Sequence, residues 1–171
     1  AKHIQKRFSE KQLLEDINLS IHLGDKIGLV GVNGSGKSTL LQIIAGAMEE
    51  DAGEILRSNE LRIGYLPQNP DFEPEATVLE QAMEYVQGAV PEYVVKTLLT
   101  KLRMNMFDRK MKALSGGQRK RVAMAAVMCR DTNLLILDEP TNHMDNDIIE
   151  WLEEQLENYK GSVLMITHDR Y

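Results

Sequence analysis

The chain has almost no cysteine: Cys129 is alone among 171 residues. An internal disulfide is therefore excluded, and a reducing, cytoplasmic setting is expected. Long apolar runs are missing too. The longest, Val122–Cys129 and Leu134–Leu137, are far too short to span a bilayer, which predicts no membrane insertion. The first residues lack the charged, apolar and small-residue succession of a secretion signal. Nor is there a basic excess, since 20 Lys and Arg stand against 26 Asp and Glu for a formal charge of −6. A nucleic-acid binder usually carries a basic footprint, so any RNA contact must come from a local patch or from another segment. The remaining composition, 43% hydrophobic and 27% charged, suits one globular domain that buries roughly two-thirds of its unfolded surface. Cys129 lies in an Ala/Val/Met-rich helical run, which predicts packing rather than catalysis.

One glycine-rich stretch dominates what is present. Gly31-Val32-Asn33-Gly34-Ser35-Gly36-Lys37-Ser38 has the spacing G-x-x-x-x-G-K-S, between a predicted strand (Lys26–Val30) and a predicted helix (Thr39–Ala45). That strand–loop–helix context separates a phosphate-binding loop from a plain glycine turn. Glycines let backbone N–H groups converge on an anion, and the helix N-terminus adds a favourable dipole. Gly31, Asn33, Gly34, Ser35, Gly36 and Thr39 are the expected cradle; Lys37 would reach the β- and γ-phosphates and Ser38 would hold Mg²⁺.

Around this loop the pattern alternates strands with helices. Leu13–Leu23 ends at Gly24-Asp25 and predicts a hairpin into the strand before the loop. Gly53–Leu56, Leu61–Leu66, Leu134–Leu137 and Ser162–Thr167 read as further strands, and Ser115–Cys129 and Asp147–Asn158 as helices. Strands separated by helices imply parallel pairing with right-handed crossovers. Two amphipathic runs, Val78–Val86 and Val94–Leu102, flank a Gly/Pro turn and predict a small helical insertion. With the following helix this makes a helical subdomain over about residues 69–130. Met83, Met104, Met106 and Met111 could form a methionine-rich surface, but core filling is the expected role.

In open parallel sheets ligands bind at the carboxyl ends of strands. Asp138 and Glu139 directly follow the aliphatic strand Leu134–Leu137. Asp138 is the expected acidic partner of Ser38 for Mg²⁺, and Glu139 the expected general base for an attacking water. His168 follows the next strand and would hydrogen-bond the γ-phosphate or that water.

Leu114-Ser115-Gly116-Gly117-Gln118 has two readings. Ser115 and Gln118 satisfy an S-x-x-Q capping box, which explains a helix start. Two glycines and the basic run Arg119-Lys120-Arg121 at the positive end of a helix are unfavourable unless a polyanion docks there. The expectation is a contact of Ser115, Gly116, Gly117 and Gln118 with a second nucleotide, held by another copy of the domain.

The ordered set Gly31–Ser38, Gln68, Leu114–Gln118, Leu135–Glu139, Asp145 and His168 resembles the ATP-binding cassette ATPases over essentially the whole chain. The resemblance implies an α/β fold with a P-loop NTPase core: a mostly parallel sheet flanked by helices, a small antiparallel β region near the N-terminus, and a helical subdomain between the Gln68 loop and the signature helix. It implies that Phe8 stacks on adenine, in place of the more usual Tyr. Gln68 would sense Mg²⁺ and the γ-phosphate, and Asn142–Asp145 would communicate across a dimer. Glu139-Pro140-Thr141-Asn142-His143-Met144-Asp145 is similar to the E-P-T-N-H-L-D stretch of subfamily F, with Met for Leu. Members of that subfamily carry two cassettes and act on the ribosome as translation factors or antibiotic-resistance protection proteins. The implied function is an ATPase that hydrolyses ATP with Mg²⁺, active when a second cassette pairs with it, the ribosome and its RNA being engaged by the full-length protein. The alternatives are the ATPase subunit of a membrane transporter and a nucleotide-binding module without turnover of its own. Only 46 residues separate Gln68 from Ser115, leaving no room for the helical arm that some members insert there. The chain is expected to be one domain, residues 1–171, and a fragment of a larger tandem protein.

Overall fold

A computed structural model describes residues 1–8, 11–32 and 34–167. The chain divides into two compact units: residues 1–67, 132–139 and 160–171 form one, and residues 68–131 and 140–159 form the other.

The first unit is α/β. Its parallel sheet has the order β3 (Lys26–Leu29), β7 (Ser162–Ile166), β6 (Leu134–Asp138), β5 (Ile63–Leu66). All three pairings are parallel and in register, Leu29 opposite Ile166 and Asp138 opposite Ile166 on its other side. Every residue of β6 is buried, as the near-continuous apolar run of a central parallel strand requires. A smaller antiparallel sheet has the order β2 (Lys11–Ile17), β1 (Lys2–Phe8), β4 (Ala52–Glu54). Helix α1 (Lys37–Ala45) lies in the core between the sheets. Its Leu40, Leu41, Ile43 and Ile44 share one cluster with Ile4 and Leu14 of the small sheet and Leu134, Ile136, Leu164 and Ile166 of the large one. The helix that opens at the glycine-rich loop is thus clamped by apolar contacts on two sides, which fixes where its N-terminus points.

The predicted hairpin between Leu13–Leu23 and the strand before the loop does not form. β2 pairs with β1, and β3 pairs with β7. A tight turn intervenes: the Asp25 N–H donates to the His22 carbonyl at 3.0 Å, and the His22 N–H to Asp25 Oδ2 at 2.8 Å. Ser162 pins that turn to the parallel sheet by accepting from the Gly24 N–H and donating to the His22 carbonyl. Alternation in sequence showed strand character but not which sheet would receive it.

The second unit is helical: α2 (Val78–Val86), α3 (Glu92–Lys101), a short 3₁₀ turn (Met111–Ala113), α4 (Gly116–Cys129) and α5 (Asn146–Asn158). Both α2 and α3 pack on α4. Val122–Val127 are all buried, as expected of a helix that is apolar all round. Of the four methionines expected to fill the core, Met104 and Met111 are fully buried, whereas Met83 and Met106 are half-buried. Cys129 is half-buried with its thiol 3.9 Å from the Val94 carbonyl, and burial pushes its pKa up to about 11. A thiol held neutral in this way is a poor nucleophile.

Candidate functional site

The glycine-rich loop leaves β3 at its carboxyl end and opens α1. Gly34 and Gly36 adopt left-handed backbone with φ of 79° and 88°. Gly36 is also fixed by space: a Cβ there would lie 2.9 Å from Leu14 Cδ2 and 3.0 Å from the Leu13 carbonyl oxygen. Gly36 is the N-cap of α1, and no side chain caps that helix or places a carboxylate in its first turn. Lys37 folds back on the loop, its Nζ donating to the carbonyls of Gly31 (2.7 Å) and Val32 (2.9 Å) and to Ser35 Oγ (3.3 Å). An ammonium at the positive end of a helix whose first turn lacks a side-chain cap creates a strong demand for an anion.

Asp138 ends β6 and is 1% exposed. Its charge adds to burial in pushing the Tyr65 phenol up to about 12. Asp138 and Ser38 belong to the same unit and supply the hard oxygen donors that Mg²⁺ prefers. Among the described residues no three His, Cys, Asp or Glu side chains form a metal cage. Glu139 comes next, half-buried, with φ of 50° and its N–H donating 3.0 Å to the Ile166 carbonyl. A glutamate in left-handed backbone is strained, and such strain concentrates where side-chain direction matters. Nothing in the local sequence announced it.

A cavity of about 580 Å³ in the same unit is lined by Ile21, His22, Leu56, Arg57, Leu134 and Ser162, among others. Leu134 and Ser162 start β6 and β7, so this cavity lies at the amino ends of the strands, away from Asp138 and Glu139 at the carboxyl ends. Ligands of open α/β sheets bind at the carboxyl ends, so the loop and the two carboxylates carry the candidate site despite the cavity's size. Phe8 closes β1, 44% exposed, with the Lys6 ammonium 5.7 Å from its ring centre. Asn33 and His168 lie outside the described residues.

Gln68 and the Ser115–Gln118 signature turn belong to the helical unit. Ser115 caps α4 as expected: its Oγ accepts from the Gln118 N–H (3.2 Å), and Gln118 Oε1 accepts from the Ser115 N–H (3.0 Å). Gly116 is exposed, and a Cβ there would meet nothing within 4 Å. Gly117 differs, because a Cβ would lie 3.1 Å from His143 Cβ and 3.4 Å from the His143 carbonyl oxygen.

The expected basic landing site at Arg119–Arg121 is corrected. Arg119 stacks on Phe72 with 4.2 Å from guanidinium carbon to ring centre, and donates to the Met111 and Lys112 carbonyls. Lys120 is 6% exposed and donates 3.1 Å to the Gln68 carbonyl, tying the Gln68 loop to α4. Arg121 donates to the Leu102 carbonyl. All three side chains act as ties within the unit, Lys120 buried and the two arginines half-buried. Local charge counting had no means of finding partners up to 52 residues away.

Known proteins resemble this chain in sequence and in fold. The protein-family model described as ABC transporter matches residues 14–142. The energy-dependent translational throttle protein EttA of Haemophilus influenzae is 37% identical over 203 residues, covering 95% of this chain and 36% of that protein. The ATP-binding protein Uup of Escherichia coli is 38% identical over 166 residues, covering 94% of this chain and 26% of that protein. YfmR of Bacillus subtilis, an uncharacterised ABC transporter ATP-binding protein, aligns to all of this chain and to 34% of itself. The chain therefore spans about a third of the length of such relatives. Among solved structures, the dimeric cassette MJ0796 bound to ADP and Pi superposes with a TM-score of 0.82 at 27% identity, covering 98% of this chain and 87% of that one. The archaeal ribosome recycling factor aABCE1, in complex with stalk protein aP1, gives 0.71 at 31% identity over 87% of this chain and 30% of that one.

Proposed function

The chain belongs to the ATP-binding cassette (ABC transporter) family, and we propose that it is a cassette that binds and hydrolyses ATP together with a second cassette, in a subfamily F protein acting on the ribosome. The observation that carries the ribosomal part is the similarity to EttA across 95% of the chain, in a sequence that reads Glu139-Pro140-Thr141-Asn142-His143-Met144-Asp145.

In this reading Lys37 exchanges its loop carbonyls for the β- and γ-phosphate oxygens, and the N–H groups that open α1 hold the phosphates. Ser38 and Asp138 would hold Mg²⁺, Gln68 being the residue that the family resemblance assigns to sensing it; bound there, the ion would supply neutralisation of the β- and γ-phosphate charge. Phe8 stacks on the adenine. Glu139 orients the attacking water and accepts its proton, while His168 donates a hydrogen bond to the γ-phosphate. Ser115, Gly116 and Gly117, with Gln118 fixing their turn, meet the γ-phosphate held by the partner cassette, so each site is completed from outside its own chain segment. The protein works in the cytoplasm, in this reading. A role in antibiotic resistance belongs to the same proposal, as one of the two activities of the subfamily.

The test is Glu139→Gln in the full-length protein. It should retain ATP, hydrolyse it about a hundredfold or more slowly, the contribution of a general base, and sediment with ribosomes when ATP is present. Absence from the ribosomal fraction sinks the ribosomal reading. Recovery in membranes with an integral partner would instead favour a transporter subunit.

A further inference from the structure

We propose that Arg103 is a positioning residue that clamps the Asn142–Asp145 loop against the start of α4, so that this loop and the signature turn move as one piece. Several observations within the helical unit converge. Arg103 follows α3 in left-handed backbone, φ 57°, between Leu102 and Met104, both fully buried. The Met104 N–H donates 2.7 Å to the Leu99 carbonyl, so the point from which the side chain leaves is fixed. Its guanidinium takes two carboxylates at once: Nη1 lies 3.2 Å from Asp145 Oδ2, and Nη2 pairs with Asp147.

Asp145 is the N-cap of α5, yet its side chain makes no capping hydrogen bond. Aspartate normally serves that position by accepting from the first turn; here the carboxylate is turned to Arg103 instead. On the other side of the loop, His143, in left-handed backbone at φ 60°, abuts Gly117 so closely that a Cβ there would sit 3.1 Å from the His143 Cβ. The Arg103 segment is itself tied to α4, because Arg121 Nη1 donates 3.2 Å to the Leu102 carbonyl. The loop is therefore held from two sides by the helix that opens with Ser115. Each exposed ion pair alone contributes little, but one planar fork bridging two carboxylates imposes a direction that a lysine does not reproduce.

Only the kinetic half of the test rests on the paired-ATPase reading. Hydrogen–deuterium exchange on the full-length protein should show Arg103→Ala speeding exchange over residues 141–147 by about two- to fivefold, the range an exposed ion pair supports. Exchange in the body of α4 should not change, and Arg103→Lys should fall between. Asp145→Asn should give the same signature without altering α3, which guards against general unfolding of the Arg103 variants. Unchanged exchange over 141–147 in both Arg103→Ala and Asp145→Asn overturns the proposal, whatever the ATPase does. In ATP turnover, Arg103→Ala should lower kcat several-fold with KM held within about twofold. A raised KM with kcat intact overturns the positioning role. A wild-type protein that does not turn over ATP defeats the ATPase reading alone and leaves the exchange measurement to decide on Arg103.

Discussion

Two helix starts in this chain face the same physical problem and solve it differently. The first N–H groups of any α-helix have no intrahelical partner. At α1 the cap is Gly36, with no side-chain acceptor and no carboxylate in the first turn, and a lysine ammonium adds to the positive end. At α4 the cap is Ser115, locked with Gln118 in a reciprocal box. The first start leaves its donors to an anion from outside. The second is largely self-sufficient and offers an outer ligand only a bare, exposed Gly116 beside Ser115. The difference teaches that two glycine-rich turns, both read as phosphate contacts, meet the same demand by different means; in the proposed function α1 holds a nucleotide and α4 completes a site held elsewhere.

The largest effect should come from Gly36→Ala. Left-handed backbone costs an alanine about 1–2 kcal/mol, and the new Cβ would press on Leu14 and the Leu13 carbonyl. Nucleotide binding should be lost, with a visible fall in Tm by calorimetry. Lys37→Ala should keep the fold and weaken ATP binding roughly ten- to a hundredfold, the value of a charge-assisted contact; titration with a fluorescent ATP analogue measures it. At α4 the signs separate. Ser115→Ala removes a cap worth about 1 kcal/mol and should lower Tm by about 2–4 °C without changing affinity at the Lys37 loop. Gly116→Ala has open space and helical backbone, so stability should rise by up to about 1 kcal/mol while steady-state hydrolysis falls. If Gly116→Ala leaves turnover untouched, the functional half of the comparison breaks.

The smallest effect concerns the brace that leads into α4. Lys110 and Lys112 both donate to Glu75, their ammonium groups holding its carboxyl well below the ordinary range, at about 2. A depressed carboxyl pKa contributes stability that is fully present above the ordinary value near 4.5 and lost as pH falls towards about 2. The pH dependence of Tm below about pH 4.5 should therefore be shallower in Glu75→Gln than in wild type.

Much of this was legible because it is local. The apolar run Leu134–Leu137, the helical spacing of Val78–Val86 and the Ser115–Gln118 box each carry their own signature within a few residues, and each appears in the structure. The strand–loop–helix setting of the glycine-rich loop was legible for the same reason. What escaped depends on partners far along the chain. The turn at His22–Asp25 is set by Ser162, so no reading of Leu13–Leu23 alone could assign its sheet. Arg119, Lys120 and Arg121 looked like displayed charge because their carbonyl acceptors at Met111, Gln68 and Leu102 carry no motif. The left-handed bend at Glu139 and the reach of Arg103 to Asp145 and Asp147 are likewise products of packing.

The central claim is that the Lys37 loop and the Ser115–Gly117 turn belong to different ATP sites. Equilibrium ATP stoichiometry in the full-length protein tests it most directly, comparing wild type with Lys37→Ala and Gly116→Ala. The account predicts that Lys37→Ala loses the nucleotide of this cassette, whereas Gly116→Ala keeps it and loses turnover alone. Loss of the same nucleotide in both variants would contradict the account, because it would place loop and turn in one site.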